Sequence, residues 1–358
     1  QGRYSMRVLT LFLKMKYQVL SIGKKTPTDF INIGDYIQGV ASAQFLPRLD
    51  GFIDRELVGK YEGELSKVIM NGWYMHYPEN WPPSKQIIPL FVALHINSNF
   101  KEQLLSAKSI EYLKKYEPIG CRDYYTMNIL RAKGIDAFFS GCMTLTLGRC
   151  YHSEKKNNKI YFVDPYFKTP SSLKEFLYNS LYLLKHWKTI CVIASKFEFY
   201  WHRGFFHRVV VTSFYRQYIK LFSKEVLLNA EYVCQESKRY KNNFKNEEER
   251  FAEAQRLVEE YAQAKYVVTS RIHCALPCLG LETPVIYVEN KQQSETSACR
   301  LDGLRELFNI IENDNGVLRT LFPIELPLTC KSNFSNKSLW YNIADKLKNI
   351  CENFIQAK

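Results

Sequence analysis

The sequence predicts an α/β protein in which two doubly wound lobes face a central cleft. Three observations predict this class. Short apolar runs alternate with segments of helical spacing, which is the rhythm of parallel β-α-β units. The chain has 358 residues, enough for two domains of ordinary size. A polar run, HSEKKNNK at residues 152–159, separates two stretches that each contain such apolar runs.

The first half begins the alternation. Its predicted strands are residues 67–72, 88–95, 117–123 and 137–142. Residues 124–133 have helical spacing, and Gly134 follows them as a C-terminal helix cap. Residues 6–151 are therefore assigned to an N-terminal lobe.

The second half repeats the pattern after the polar run. Its predicted strands are residues 160–164, 190–194, 225–233, 266–268 and 284–288. Residues 246–265 form an amphipathic helix, because Phe251, Ala254 and Leu257 fall on one face. We assign residues 160–335 to a C-terminal lobe and residues 336–358 to a C-terminal helix.

The charge and the cysteines narrow the class of partner and the compartment. Lys and Arg outnumber Asp and Glu by 49 to 36, and the net charge of +13 favours an anionic substrate, a membrane surface or nucleic acid. Nucleic acid is disfavoured, because the sequence has no RNP pair, zinc-finger spacing or basic tail. The ten cysteines are dispersed without paired spacing, which predicts a reduced, cytoplasmic chain.

A cation and an imidazole lie where a predicted strand gives way to a helix, in Ser270-Arg271-Ile272-His273. Ligands of open parallel sheets bind at the carboxyl ends of strands, near helix N-termini. There Arg271 can hold a carboxylate or phosphate through two hydrogen bonds, and His273 can exchange a proton near neutral pH. Alternatively, Ser270 caps the helix while Arg271 and His273 bind loop carbonyls. The residue types leave both interpretations open.

Two candidate polar residues follow turns or strands nearer the N-terminus. Asp35 either caps a helix that begins at Tyr36 or contacts a hydroxyl of a bound sugar. His95 ends a buried apolar run, and it is either a core histidine or a site residue.

Two more clusters come later in the first half. Asp123 either caps the helix that follows it and pairs with Arg122, or both side chains bind substrate. Residues 141–147 form a loop of small and hydroxyl side chains after a strand, and Thr144 is its candidate ligand.

The sequence predicts neither a metal site nor a cofactor. His273, Cys274 and Cys278 lack a fourth nearby ligand and match no zinc-finger spacing. The two cysteines are four residues apart among apolar residues, which indicates a buried helix face. A GxGxxG pattern is absent, so a nicotinamide cofactor has no support.

Taken together and in this order, the four clusters resemble the polysaccharide pyruvyl transferase family. The matching pieces are NIGD at residues 32–35, GCRDYYT at 120–126, GCMTLTL at 141–147 and SRIHCALP at 270–277. The likeness extends from about residue 31 to residue 286, and the last motif is the most specific. Met143 stands where the family commonly has Pro, and Ile272 where Leu is usual.

The resemblance implies two Rossmann-like lobes in a GT-B-like arrangement. It also implies transfer of pyruvate from phosphoenolpyruvate onto two hydroxyls of one sugar, which gives a cyclic ketal and phosphate. Phosphoenolpyruvate would be a donor substrate held by the C-terminal lobe. The acceptor would be a sugar of a polysaccharide or its precursor, held by the N-terminal lobe.

The resemblance also suggests roles for the candidate residues. Arg271 would clamp the donor, His273 would transfer the proton, and Arg122 would add a second positive charge. Asp35 and His95 are candidates for the acceptor side, and Asp35 is grouped with Arg271 and His273 as a catalytic residue. The predicted substrate-binding set is completed by Ser270, Asp123 and Thr144.

Two other functions fit the same sequence. A nucleotide-sugar-dependent glycosyltransferase of this architecture would need a second-lobe carboxylate for a ribose, and Glu282 and Glu289 are candidates. A non-catalytic basic module would show salt-sensitive binding without turnover.

The basic and aromatic residues also predict a peripheral contact with the inner face of a membrane. Trp and Tyr lie among Lys and Arg at residues 182–187 and 200–208. Such a contact would suit a lipid-linked acceptor.

Overall fold

The computed structural model describes residues 15–23, 29–74, 76–198, 204–294 and 298–357. Part of the predicted membrane-contact segment, residues 200–203, lies outside these ranges. The fold is α/β with largely parallel sheets.

The strands are short, as is usual for parallel sheets joined by helices. They are β1 Lys16–Ser21, β2 Ile31–Asn32, β3 Gly51–Asp54, β4 Ser66–Ile69, β5 Ile87–Leu90, β6 Ile119–Cys121, β7 Ala137–Phe139, β8 Ile160–Val163, β9 Glu231–Val233, β10 Glu236–Ser237, β11 Tyr266–Thr269, β12 Val285–Asn290, β13 Asn309–Asp314 and β14 Val317–Thr320.

The helices lie mainly between these strands. They are α1 Ile33–Ala43, α2 Lys101–Leu104, α3 Ala107–Lys114, α4 Tyr124–Arg131, α5 Gly148–Tyr151, α6 Leu173–Lys185, α7 Trp187–Lys196, α8 Gly204–Tyr218, α9 Lys224–Asn229, α10 Arg239–Asn242, α11 Glu247–Gln263, α12 Ile272–Gly280 and α13 Trp340–Gln356. Short 3₁₀ helices cover Arg55–Lys60, Pro78–Asn80, Ser98–Phe100, Met143–Thr146, Cys299–Leu301 and Arg305–Leu307.

The first half of the chain forms a parallel sheet with the strand order β3-β1-β4-β5. The parallel pair β6-β7 continues it, because a bridge joins Leu94, just after β5, to Cys121 in β6. The carboxyl ends of these strands therefore lie along one edge, where ligands of such sheets bind. His95 and Arg122 come directly after that bridge.

The second half forms a six-stranded sheet with the order β14-β13-β12-β11-β8-β9. Its neighbours pair in parallel, except that β14 returns antiparallel to β13. The central strand β11, with the sequence YVVT, is fully buried, as expected for a strand covered by helices on both faces. It ends directly before Ser270.

One hydrophobic core joins the two halves. The buried face of α1, with Ile37 and Val40, packs with Phe251 and Leu257 of α11. Strand β2 also pairs antiparallel with β10 of the second half. This contact places the first turn of α1 beside the first turn of α12.

The C-terminal helix returns to the first half of the chain. Trp340 of α13 is buried in the shared core, and the helix packs on the 3₁₀ turn Met143–Thr146. Lys67 Nζ in β4 donates to the carbonyl of Phe354, at 3.0 Å. The last helix is therefore fixed to the first sheet.

Two of the predicted strands were wrong. Residues 190–194 belong to α7, whose buried residues Ile190, Ile193 and Ala194 have helical spacing. Residues 225–233 contain α9 followed by the short strand β9. A run of four to six apolar residues fits a buried strand and a buried helix equally well.

Candidate active site

The candidate site is a cavity of about 330 Å³ at the carboxyl end of β11. Arg271, His273 and Arg300 line it from the second half of the chain, and Asn32 lines it from the first half. The polar residues after β11 therefore face solvent-filled space beside the junction of the two halves.

Asp35 and His273 form a hydrogen-bonded pair across that junction. His273 Nδ1 lies 3.0 Å from Asp35 Oδ1, and Arg55 Nη1 donates to Asp35 Oδ2 at 2.9 Å. All three side chains are buried. The structure thus brings together two predicted site residues that are 238 positions apart in the chain.

The NIGD segment makes this pair because Asn32, and not Asp35, caps the helix. Asn32 Oδ1 accepts from the backbone N–H of Gly34 at 3.0 Å, and α1 begins at Ile33. The predicted start at Tyr36 was wrong for this reason. With the cap supplied by Asn32, the carboxylate of Asp35 can bind His273 instead.

Two glycines allow the required close approach of backbones. A Cβ atom at Gly34 would lie 3.0 Å from His273 Cβ and 2.8 Å from Gln235 Oε1. A Cβ atom at Gly280 would lie 2.6 Å from the carbonyl oxygen of Leu145. Gly34 therefore lets α1 reach α12, and Gly280 lets the end of α12 rest on the 143–146 turn.

The environment keeps His273 neutral and Asp35 ionised at neutral pH. Burial lowers the pKa of His273 below its ordinary value, although the hydrogen bond to Asp35 opposes this shift. Burial alone would raise the pKa of Asp35, but the charge of Arg55 and the bond to His273 hold it well below the usual range. Because Asp35 accepts the Nδ1 proton, His273 Nε2 carries a lone pair. That Nε2 has no hydrogen-bond partner among the described residues.

A second pair of the same kind is formed by His95 and Asp123. His95 Nδ1 lies 2.6 Å from Asp123 Oδ2, while Asp123 Oδ1 accepts from the backbone N–H of Thr126 at 2.8 Å. Asp123 thus caps α4, which is one of the two interpretations that the sequence left open, and it also holds the imidazole. Both residues are fully buried.

His95 is also held in the neutral form. Burial and the charge of Arg122 lower its pKa from 6.5 to about 4, against the opposing effect of Asp123. Within the described part of the chain, its Nε2 atom has no hydrogen-bond partner either. The structure therefore holds a second neutral imidazole, which is fully buried and does not line the cavity beside His273.

Arg122 and Arg300 lie close enough to both histidines to affect their pKa values. Arg122 is 1% exposed, and its nearest carboxylate contact is Asp123 Oδ2, 3.7 Å from Nε. Arg122 Nε and Nη2 make no hydrogen bond to any residue that the structure describes. The charges of Arg122 and Arg300 lower the pKa of both His95 and His273. The two Asp–His pairs therefore share one electrostatic environment.

Arg271 is held by carboxylates at the mouth of the cavity. Its Nε donates to Asp164 Oδ2 at 3.0 Å, and its Nη2 lies 2.9 Å from Glu236 Oε2. The side chain is 30% exposed, so the guanidinium still faces the cavity. Asp164 and Glu236 fix its orientation.

Sequence reasoning missed three residues of this site, Arg55, Trp73 and Arg300. Arg300 Cζ lies 5.3 Å from the centre of the Trp73 ring, and Arg55 Cζ lies 5.6 Å from it. The Trp73 ring centre is 6.4 Å from that of His95. The position of Trp73 shortly after β4 was a usable signal, because site residues follow strands. Arg300 lies in the short 3₁₀ helix Cys299–Leu301, well after the end of β12, where there is no such signal.

Ser270 and Thr144 differ in their relation to the cavity, because Ser270 lines it and Thr144 does not. Ser270 Oγ donates to the Val288 carbonyl and accepts from the N–H of Tyr166, each at 2.7 Å. Ser270 does not cap α12, because that helix begins at Ile272. Thr144 has no exposed surface, so the structure does not bring it to the cavity.

The two carboxylates considered for a ribose lie away from this cavity. Glu289 accepts three hydrogen bonds from Arg305, at 2.9–3.1 Å. Glu282 is exposed in the turn that follows α12. Neither lines the cavity beside Arg271.

The described residues contain no group of three or more His, Cys, Asp or Glu side chains placed to bind a metal ion. They also contain no helix both long and apolar enough to span a bilayer.

The fold and the site together define an α/β protein with paired acid–base groups beside a cationic cavity. The profile of the polysaccharide pyruvyl transferase family matches residues 32–292, and the chain belongs to this family. This confirms the resemblance drawn from the four motifs and makes the chain a transferase of polysaccharide biosynthesis. Comparisons with curated protein sequences and with solved structures gave no match.

Proposed function

We propose that this chain transfers pyruvate from phosphoenolpyruvate onto two hydroxyls of one sugar, and releases phosphate and a cyclic ketal. The observation that carries the proposal is the pair of neutral imidazoles, His273 and His95, each held by an aspartate and grouped with three arginines. Ketal formation removes a proton from each of two hydroxyls, and the donor is a small polyanion. Both requirements match these groups.

The arginines would bind the donor. Arg271, oriented by Asp164 and Glu236, presents its guanidinium to the cavity. Arg300 lines the same cavity, and Arg122 adds a buried positive charge nearby. Guanidinium groups bind carboxylate and phosphate through paired hydrogen bonds, so one arginine can serve each end of phosphoenolpyruvate.

The proton balance of the reaction needs two relays. In the first step, one hydroxyl adds to C2 of phosphoenolpyruvate, and its proton passes through a histidine to the methylene carbon C3. In the second step, the C–O bond to phosphate breaks, the second hydroxyl adds to C2, and its proton passes through the other histidine to phosphate. No metal or cofactor is required by this balance, and neutral histidines are suited to begin each step as bases.

Trp73 would position the acceptor. Its half-buried ring lies near His95, Arg55 and Arg300. An aromatic ring offers a flat apolar surface to the C–H face of a sugar, while neighbouring polar groups fix the hydroxyls. In this arrangement Asp35 and Asp123 hold the histidines, and Ser270 and Thr144 support the backbone behind the site.

We further infer a GT-B-like arrangement of two Rossmann-like lobes, residues 6–151 and 160–335, with residues 336–358 as a closing helix. The separate parallel sheets support this inference, as does α13, which returns from the second half to the first. The first lobe would hold the acceptor and the second the donor. The chain would act in the cytoplasm.

The first test measures phosphate release from phosphoenolpyruvate with a panel of sugars, for the wild type and for His273→Asn and His95→Asn. Each variant should lose about 10²–10⁴-fold in turnover, because asparagine can hydrogen-bond but cannot relay a proton. His152→Asn is the matched control, since His152 is exposed in the loop after α5. Its turnover should be unchanged.

Running the reaction in D₂O separates the two relays. One variant should still incorporate deuterium at C3 and the other should not. Near-normal turnover of both variants, or release of nucleoside diphosphate from nucleotide sugars with no reaction of phosphoenolpyruvate, would refute the proposal.

A further inference from the structure

Helix α6 carries a row of exposed leucines. Leu173, Leu177, Leu181 and Leu184 are 74%, 55%, 67% and 64% exposed. Their spacing of four, four and three residues places them on one helix face, opposite the buried side chains of Asn179 and Leu183. Single exposed leucines are common in folded proteins, but a continuous apolar row of this kind marks a contact surface.

The apolar row continues onto the neighbouring helices. The ring of Phe206, at the start of α8, lies 5.6 Å from that of Phe176 in α6 and is 60% exposed. Trp187 begins α7 and is also exposed, with the guanidinium of Arg208 5.2 Å from its ring. We call the four leucines, Phe206 and Trp187 the α6 surface.

The sequence around the α6 surface is strongly basic. Residues 165–222 contain nine Lys and Arg against two Glu, which leaves +7 of the net +13 in a sixth of the chain. Lys174, Lys185 and Lys188 are exposed beside the leucines. Apolar side chains with a rim of cations and a tryptophan are what an amphipathic helix presents to an anionic bilayer.

A basic cavity of about 780 Å³ lies between α6, α8 and the β13–β14 turn. Lys168, Lys174, Arg216 and Lys220 line it with the single carboxylate Glu175. The Arg216 guanidinium lies 4.2 Å from the centre of the Tyr178 ring. Asn179, on the α6 face opposite the leucines, also lines this cavity, so the cavity opens on the other side of the helix from the leucine row.

The basic cavity is also close to the candidate active site along the chain. Tyr166 lines the site and its N–H donates to Ser270, whereas Lys168 lines the basic cavity. They are two positions apart, a span of at most about 7 Å between their Cα atoms. The basic cavity and the candidate active site are therefore neighbours along this segment of the chain.

We propose that the α6 surface docks the protein on an anionic phospholipid bilayer. The leucines insert at the level of the headgroups, and the surrounding Lys and Arg contact lipid phosphates. Docking itself goes beyond the proposed function, whereas presentation of a lipid-linked acceptor at this surface rests on it.

The test is cosedimentation of the full chain with vesicles of phosphatidylglycerol and phosphatidylcholine, or of phosphatidylcholine alone. Binding should require the anionic lipid and should fall when salt rises from ~0.1 M to ~0.5 M. The double variant Leu177→Gln, Leu181→Gln should weaken binding about tenfold or more, because it removes two leucine side chains that the bilayer would bury. The control is Leu321→Gln, Leu339→Gln, two exposed leucines outside this surface, and it should bind as the wild type does.

Other outcomes would overturn the proposal. Equal binding of the two double variants would exclude the α6 surface, and equal binding to neutral vesicles would exclude anionic lipid as the partner. Absence of vesicle binding, with a concentration-dependent dimer abolished by the Leu177 and Leu181 changes, would make the occupant a second copy of this chain. Turnover with a soluble acceptor is measured separately, so a failure here leaves the proposed transfer reaction intact.

Discussion

At the scale of single residues, Arg300 is the strongest new candidate for donor binding. It lines the cavity beside His273, and its Nε has no hydrogen-bond partner among the described residues. Burial and the neighbouring charge of Arg122 lower the pKa of Arg300, which means that both disfavour its charged form. An anion bound beside Arg300 would stabilise that charged form. Arginine side chains that lack carboxylate partners favour the binding of a polyanion.

Arg300→Lys should therefore raise the KM for phosphoenolpyruvate about 10–100-fold, since it loses a charge-assisted hydrogen bond worth roughly 1–3 kcal/mol. The control is Arg305→Lys, because Arg305 is paired with Glu289 outside the cavity. Steady-state kinetics with varied phosphoenolpyruvate is the measurement. If the two variants have the same KM as the wild type, Arg300 does not bind the donor.

The sequence predicted much of the polar part of the site. Arg122, Asp123, Arg271 and His273 follow strands, and that position is common to ligand-binding residues of parallel sheets. Their pairing could not be predicted, because the Asp35–His273 bond depends on how the two halves pack. Arg300 is in the same category, since its 3₁₀ helix, Cys299–Leu301, does not directly follow a strand.

At the scale of elements, helix α1 contributes both to the stability of the fold and to the geometry of the site. Asn32 caps it, and the first turn carries Asp35 to His273. Asn32→Ala should lower the free energy of unfolding by about 1 kcal/mol and also reduce turnover, because the loosened turn holds Asp35 less firmly. Urea unfolding and phosphate release give the two readings.

Helix α11 offers the matched control for this variant. Asn246 Oδ1 accepts from the N–H of Glu249 at 2.9 Å and caps α11 in the same way. Asn246→Ala should lose similar stability with unchanged turnover. Equal turnover of the two cap variants would show that the α1 cap serves the fold alone.

The elements themselves were predictable to different degrees. The amphipathic helix α11 and strand β11 lie where the sequence pattern placed them. Strand β2 was missed, because its two residues are defined only by pairing with β10 from the other half. Helix α7 was taken for a strand because its apolar run is short, and only packing against α8 and α9 decides between the two.

At the scale of the whole molecule, the two Asp–His pairs differ in what holds them together. His95 and Asp123 both belong to the first half of the chain, whereas Asp35 and His273 come from different halves. The second pair therefore exists only when the two halves are packed as they are here. Any relative movement of the halves would break this pair while sparing the other.

The two buried histidines should also make the stability of the whole protein depend on pH. The pKa of His95 is lowered to about 4 in the folded state, whereas the unfolded chain keeps a value near 6.5. Between these values the unfolded chain binds more protons, so the free energy of unfolding rises with pH across this window. The lowered pKa of His273 acts in the same direction. Asp54 opposes it, because burial raises the pKa of that carboxyl to about 6.

The variant His95→Asn isolates the contribution of one histidine. Going from about pH 7.5 to about pH 5, the wild type should lose roughly 2 kcal/mol more than the variant, because asparagine does not titrate. Asp35 does not disturb this comparison, since its lowered pKa affects stability only at more acidic pH. Urea unfolding of both proteins at the two pH values is the measurement. If the pH dependence is the same in both, then His95 is not held neutral by burial.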